Sequence, residues 1–229
     1  MSGGEAASRS YYLIGNSLTW DTVPPKLDGD VDWHVDCGKS LPYMYKNHVK
    51  PCVKSSNLWP KALKGKQYDF LCVQPHYGST LAEDVEVISS WIEMQPKAVI
   101  VIHTGWARHA LREKEWESSD VSGKLQHSAA YFDALLLALQ KKFPKRIFRQ
   151  THAIELLAKI AADIKAGEAP LKQVSDLHRD AIHMGLQTGR YLMHNAMRRA
   201  LEQPFSDKGF EKIDPDLKRY LDGVLATLK

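Results

Sequence analysis

The chain has 229 residues, of which 44% are hydrophobic, enough to bury the core of one sizeable domain without disulfide or metal staples. Its 31 basic and 27 acidic residues leave a formal charge of only +4, a balance that argues against nucleic acid or an anionic membrane as a partner. No stretch approaches the roughly 20 apolar residues of a membrane span, so the composition predicts a soluble globular protein.

The first ten residues are small and polar, and they lack the apolar core of a signal peptide. We expect a disordered lead or an expression remnant over residues 1–10 and a single domain over residues 11–229. The compartment stays open, because a cytoplasmic protein and an exported protein whose signal has been removed would present the same sequence.

An apolar stretch, Tyr11–Ile14, ends at Gly15 and is followed by a small polar cluster. This pattern predicts a short buried strand that turns into a loop, with Ser17 at its carboxyl end. Ligands bind outside those strand ends in open α/β sheets, so Ser17 is a candidate nucleophile. The alternative is an ordinary strand-to-helix cap, in which Ser17 or Thr19 accepts a backbone hydrogen bond.

Predicted strands and helices alternate along the rest of the chain. Apolar or alternating stretches predict further strands at 31–36, 68–73, 98–103 and, more weakly, 146–151. Helical spacing of apolar residues predicts helices over 81–94, 127–142, 154–165, 186–202 and 216–228. Such an alternation within one domain implies a three-layer α/β/α sandwich, built on a flavodoxin-like parallel sheet of about five strands.

The loop Thr104–His109 leaves the carboxyl end of the most apolar predicted strand. By its position it should line the active site, where Trp106 could offer a surface on which a sugar stacks. A tryptophan in a loop serves as often as a packing plug, so both roles stay open.

Metal and nucleotide motifs are missing from the sequence. Ten histidines are scattered without metal-ligand spacing, and no glycine-rich phosphate loop follows the first strand, so neither a metal nor a cofactor is expected. At most two of the three cysteines could pair. We expect buried free thiols at Cys37, Cys52 and Cys72.

Near the end of the chain, Asp180 stands three residues before His183. This spacing lets the carboxylate lie over the same face of a turn, where it can orient the imidazole and stabilise the imidazolium. Ser17, Asp180 and His183 would then be nucleophile, orienting acid and base. His178 follows Asp176 by two residues and lacks the three-residue offset, so His183 is the preferred base.

With Gly15-Asn16-Ser17 at one end and the Asp180/His183 block at the other, the chain resembles the GDSL or SGNH hydrolase family. The match is closest to sugar-esterase-like branches, in which Gly-Asn-Ser replaces Gly-Asp-Ser, and it spans roughly residues 11 to 200. The resemblance implies the same sandwich fold and a catalytic triad of Ser17, Asp180 and His183.

The resemblance also implies an oxyanion hole. In that family the backbone N–H of the nucleophile and of a glycine after the second strand bind the oxyanion, and here these are Ser17 and Gly38, although a plain turn glycine is the alternative. The family usually places Gly-x-Asn at its third block. Here the strand ends in Gln74, a longer amide that we expect to donate in the same way. The substrate is expected to be lined by Asn16, His76 and Trp106.

The function implied is a serine esterase that hydrolyses small acyl esters, with acetyl on a carbohydrate as the expected substrate. Its partner would be a small-molecule or carbohydrate ester, and the oligomeric state stays open. A protein that keeps the fold but has lost turnover, acting as a carbohydrate-binding or scaffold protein, is the alternative, and the altered third block is the feature that favours it.

Overall fold

The computed structural model describes residues 8–228 as a five-stranded sheet with helices on both faces. All neighbouring strands are parallel, and their order in the sheet is β2-β1-β3-β4-β5, so the predicted flavodoxin-like sandwich is confirmed. Most of the expected N-terminal lead, residues 1–7, lies outside the described part. The strands β1 to β5 are Ser10–Gly15, Asp30–Val35, Phe70–Val73, Val99–Ile102 and Phe148–Gln150.

Helices connect these strands and follow the last of them. No helix within residues 8–228 is long and apolar enough to cross a membrane. The predicted helix 81–94 forms with those bounds, and a capping box of Thr80 and Glu83 sets its start. The helices α1 to α9 are Ser17–Asp21, Leu41–Lys46, Trp59–Gly65, Leu81–Met94, Arg112–Trp116, Ala129–Lys142, Ala153–Ala166, Gly189–Ala200 and Pro215–Ala226.

Side chains alternate between two apolar layers along the strands. Tyr12 and Ile14 of β1 belong to the larger cluster, whereas Tyr11 and Leu13 belong to a smaller one that packs under α8. Both faces of the central strands are therefore covered, as their near-continuous apolar sequences require. The carboxyl ends of the strands remain at the edge of these layers, where loops can gather polar residues.

Cys37 and Cys52 form a disulfide, so the expectation of three free thiols is wrong for this pair. The two residues are 15 apart in the sequence, and they close a loop that contains α2. Their pairing brings the turn after β2 against the segment that follows α2, a contact that spacing alone does not reveal. Only Cys72 of the three stays free and buried, as expected.

Reducing this disulfide should lower the free energy of unfolding by about 3 kcal/mol, because a closed loop of about 15 residues restricts the unfolded chain by that amount. Thermal or urea denaturation with and without a phosphine reductant measures the effect. In the Cys37→Ser/Cys52→Ser variant the reductant should change nothing. Equal stability of the oxidised and reduced wild type would contradict the prediction.

A buried carboxylate, Asp84, lies in the first turn of α4. It accepts hydrogen bonds from Ser79 Oγ at 2.9 Å and from Tyr131 Oη at 2.7 Å. Burial raises the pKa of Asp84 to about 7, and the two hydroxyl donors only partly oppose this. In the unfolded chain the pKa of an aspartate is about 3.9, so between these values the folded protein holds a proton that the unfolded chain has released.

Asp84 should therefore make the fold less stable as the pH rises from about 4 to about 7. Asp84→Asn keeps an acceptor oxygen for Ser79 and Tyr131 and removes the titration. The stability of the variant relative to the wild type should increase across this pH range and then level off. Urea denaturation at several pH values tests this, and a constant difference would contradict it.

Candidate active site

The nucleophile turn lies between β1 and α1. The side chain of Asn16 caps α1 by accepting a hydrogen bond from Leu18 N at 2.9 Å. Capping is thus done by Asn16, which leaves the half-buried Ser17 hydroxyl free for another partner. Since Asn16 itself is fully buried, its expected role in lining the substrate is not supported.

Gln74 holds this turn from the neighbouring strand. Its Oε1 accepts hydrogen bonds from Asn16 N at 3.0 Å, from Thr19 N at 3.2 Å and from Thr19 Oγ1 at 3.0 Å. Its Nε2 donates to Pro75 O at 3.1 Å. A Cβ at Gly15 would lie 2.8 Å from Gln74 Cβ, so this close approach requires glycine.

These contacts give the Gln74 amide a structural role that the sequence analysis did not assign to it. Three donors converge on its oxygen, and this fixes which end of the amide faces the nucleophile turn. The side chain is fully buried, and one of its two amide hydrogens is directed to Pro75 O. Its expected role as an oxyanion donor therefore depends on the remaining hydrogen alone.

Asp180 and His183 form a compact turn before α8. Asp180 Oδ1 accepts hydrogen bonds from Ile182 N at 2.9 Å and from His183 N at 2.8 Å, which closes the turn. Asp180 Oδ2 lies 2.8 Å from His183 Nδ1. An ionised carboxylate can only accept, so Nδ1 carries the hydrogen and Nε2 is left as the basic atom.

His183 Nε2 lies 2.9 Å from Ser17 Oγ, so the structure brings together the three residues of the expected triad. His178 is engaged elsewhere, with its Nδ1 3.1 Å from Val174 O. Burial lowers the pKa of His178. Of the two histidines in this block, His183 is the one in contact with the serine.

The electrostatics of the turn keep Asp180 ionised. Desolvation acts to raise the pKa of this carboxyl, but the backbone N–H groups of His183 and Ile182 and the His183 side chain together lower it well below its usual range. The carboxylate is about half exposed, so water screens its charge. It is nevertheless an acceptor at any pH near neutrality.

Trp106 is a packing plug rather than a stacking surface. Its side chain is fully buried, so no ring face is exposed to a sugar in this structure, and the packing role is favoured over the lining role. Its Nε1 donates to Ile182 O at 2.6 Å. The loop after β4 thus supports the turn that carries His183, while Gly105 within it adopts a φ of +61°.

His76 belongs to a buried group of polar rings next to the site. Its ring centroid is 5.5 Å from that of His127, whose Nδ1 lies 3.3 Å from Glu115 Oε2. Tyr77 donates to the other carboxylate oxygen of Glu115 at 2.6 Å. Burial, and then His127, lower the pKa of His76 to about 3, so it is neutral at physiological pH. Its substrate-lining role stays a prediction.

The backbone N–H groups expected to bind an oxyanion belong to Ser17 and Gly38. Within residues 8–228, neither Ser17 N nor Gly38 N donates to another atom. Gly38 is exposed and has a φ of +67°, the left-handed conformation expected for a glycine at this turn. Asn16 Nδ2 donates to Lys39 O at 3.4 Å, a long bond that links the Gly38 turn to the nucleophile turn.

Asp21, at the last position of α1, is a site residue that the sequence analysis missed. It is fully buried and accepts a hydrogen bond from Met184 N at 2.7 Å, directly after His183. An acidic residue four positions after the candidate nucleophile is the signal that could have drawn attention to it. Among residues 8–228, no three His, Cys, Asp or Glu side chains are grouped as a metal site requires.

The fold can be compared with solved structures. The chain matches a lipase/acylhydrolase from Enterococcus faecalis with a TM-score of 0.51 at 12% identity, covering 85% of this chain and 95% of that chain. It matches a protein described as a GDSL-like lipase from Parabacteroides merdae with a TM-score of 0.50 at 14% identity, covering 85% and 96%. No protein-family model and no curated protein sequence matches it. The chain therefore has the GDSL/SGNH hydrolase fold.

Gln74→Ala should lower the free energy of unfolding by about 1 to 3 kcal/mol, because buried N–H and hydroxyl donors lose their acceptor. Urea denaturation measures this, with Gln67→Ala as the control, since Gln67 makes one side-chain hydrogen bond at the surface. A variant as stable as the wild type, with turnover reduced about 100- to 1,000-fold at unchanged KM, would instead favour the oxyanion role.

Proposed function

We propose that this chain is a serine ester hydrolase that uses the triad Ser17, His183 and Asp180. The observation that carries the proposal is the continuous hydrogen-bond chain from Ser17 Oγ through the two ring nitrogens of His183 to Asp180 Oδ2, with separations of 2.9 and 2.8 Å. Such a chain couples a weak nucleophile to a general base of fixed orientation. The GDSL/SGNH fold is consistent with this chemistry.

In the acylation step, His183 Nε2 takes the proton of Ser17 as Oγ attacks the ester carbonyl carbon. The carbonyl oxygen becomes an oxyanion, and the tetrahedral intermediate collapses when His183 gives its proton to the departing alcohol. Deacylation repeats the sequence with water as the nucleophile. Water loses one proton to His183, the acid is released, and Ser17 Oγ regains its hydrogen.

Asp180 supports both half-reactions without changing its own protonation state. Its hydrogen bond to Nδ1 holds His183 in the tautomer that leaves Nε2 basic, and its charge stabilises the imidazolium. The backbone N–H groups of Ile182 and His183, which donate to Asp180 Oδ1, prevent the carboxylate from rotating away. The acid is therefore oriented by its own turn.

The oxyanion is proposed to be bound by the backbone N–H groups of Ser17 and Gly38, both without a protein acceptor in the described residues. Donors of this kind act on charge that develops only in the transition state, so they raise turnover more than they tighten substrate binding. Gln74 contributes chiefly by holding the Ser17 turn in place.

For the substrate, we propose a small acyl group, acetyl in particular, on a small molecule or a carbohydrate. The support is the Gly15-Asn16-Ser17 sequence, which resembles the sugar-esterase-like branches of the family. A non-catalytic carbohydrate-binding or scaffold protein is the second candidate. It is favoured by the contacts of Gln74, because the side chain expected to complete the oxyanion hole is engaged within the protein.

A serine-reactive organophosphonate distinguishes the two candidates. The hydrolase should form a single adduct on Ser17, detected by mass spectrometry of the digested protein, and should hydrolyse a short-chain nitrophenyl ester. The non-catalytic protein should give neither adduct nor turnover. An adduct on a serine other than Ser17 would contradict the assignment of the nucleophile.

Ser17→Ala and His183→Ala should each lower kcat by roughly 10⁴- to 10⁶-fold, and the double variant should lose little more, because the triad acts as a unit. Asp180→Asn should retain more activity than either. The melting temperature of Ser17→Ala should stay near that of the wild type. His178→Ala is the matched control, and an inactive control beside an active His183→Ala would overturn the choice of base.

A further inference from the structure

Asp21 is a buried carboxylate that joins the nucleophile helix to the turn carrying His183. Its Oδ2 accepts the hydrogen bond from Met184 N at 2.7 Å. Its Oδ1 accepts from Arg179 Nη1 at 3.0 Å and from Arg190 Nε at 2.8 Å. The side chain of Asp21 is fully buried, so water does not compete for these bonds.

The partners of Asp21 flank the catalytic turn in the sequence. Arg179 immediately precedes Asp180, and Met184 immediately follows His183. The two ends are also tied to each other, since Arg179 N donates to His183 O at 2.9 Å and the Arg179 guanidinium donates to Met184 O. The Asp21 carboxylate therefore holds both ends of the turn that carries Asp180 and His183.

The same carboxylate is rigidly connected to the nucleophile. Ser17 and Asp21 are the first and last residues of α1, a single helical turn with the Asn16 cap at its start. A shift of the His183 turn relative to α1 would therefore lengthen the bonds of Asp21 together with the Ser17–His183 contact. Asp21 thus constrains the distance on which proton transfer depends.

The third partner extends this constraint to α8. Arg190 lies in the first turn of α8, and its side chain is about four-fifths buried, with 18% exposed. Two guanidinium groups donate to the same oxygen of the buried Asp21 carboxylate. Loss of either guanidinium would leave a buried polar oxygen with fewer partners, which is unfavourable.

From this geometry we infer that Asp21 is a positioning residue for the proposed ester hydrolysis, acting through His183 without touching the substrate. The inference rests on the proposed function for its kinetic consequence. Misplacement of a catalytic group by about 1 Å lowers turnover by about 100-fold. Asp21→Asn keeps an acceptor for Met184 N but loses the charge that holds the two arginines, so the displacement should be partial.

The kinetic test compares Asp21→Asn with Asp163→Asn, assayed with a nitrophenyl acetate well below both melting temperatures. Asp163 is a buried carboxylate on α7 that is paired with Lys159 and Tyr220, so it controls for a general loss of stability. Asp21→Asn should lower kcat about 10- to 100-fold with KM changed less than about twofold. The Asp163 variant should keep kcat near the wild-type value.

A second comparison separates positioning from mere stabilisation of the fold. In a His183→Ala background, Asp21→Asn should cause almost no further loss of residual turnover, because its effect passes through the missing imidazole. A residue that only stabilises the fold would reduce activity by the same factor in both backgrounds. Equal factors would therefore overturn the inference, as would unchanged kcat in the single variant.

The bonds from Asp21 to Arg179, Met184 and Arg190 form a clamp on the His183 turn. Hydrogen exchange tests this clamp without any substrate. Amide exchange in a peptide covering residues 177–186 should accelerate in Asp21→Asn and stay unchanged in Asp163→Asn. If the wild type shows no esterase activity while this acceleration occurs, the proposed function fails and the clamp stands. If the exchange is unchanged, the clamp itself is overturned, whatever the activity of the wild type.

Discussion

The hydrogen bond between Ser17 Oγ and His183 Nε2 joins residues that are 166 positions apart, and the rest of the structure determines whether it forms. Ser17 is placed by β1, a central strand paired on both sides, so its position is set by the sheet. His183 lies in a turn outside any strand or long helix, and it needs separate support. The loop after β4 provides that support through Trp106 Nε1, which donates to Ile182 O, and α1 provides it through Asp21, which accepts from Met184 N.

Polar atoms buried beneath the site fix the orientation of side chains and turns, which apolar packing alone does not do. Burial of an amide or carboxylate is unfavourable unless its hydrogen bonds are complete, so a nearly complete network has one arrangement rather than many. Gln74 meets this condition by accepting three hydrogen bonds around the nucleophile turn, and Asp21 does so by accepting from an amide and two guanidinium groups. Apolar side chains of similar volume would fill the same space without specifying a direction.

The sequence predicted the fold and the contact between Asp180 and His183 because both rest on local signals. Periodicity identified α4 to the residue, and the Asp180/His183 offset predicted the contact that forms. The errors concern partners that are distant in the sequence. Nothing in the spacing of Cys37 and Cys52 distinguishes a bridge from two thiols, and nothing local shows that Trp106 reaches Ile182 O. The acceptor role of Gln74 likewise depends on a strand neighbour 58 residues away.

Burial also decides which histidine near the site can carry a charge. An imidazolium next to His183 would oppose the positive charge that His183 acquires when it takes the proton of Ser17. His76 lies close enough for its charge to be felt by His183, but burial keeps its pKa near 3 and therefore keeps it neutral. His127 is buried as well, and the pKa of its ring is lowered despite the adjacent Glu115. A neutral His76 near the half-buried His183 leaves Asp180 as the charged group in contact with it, and that charge favours the protonated intermediate.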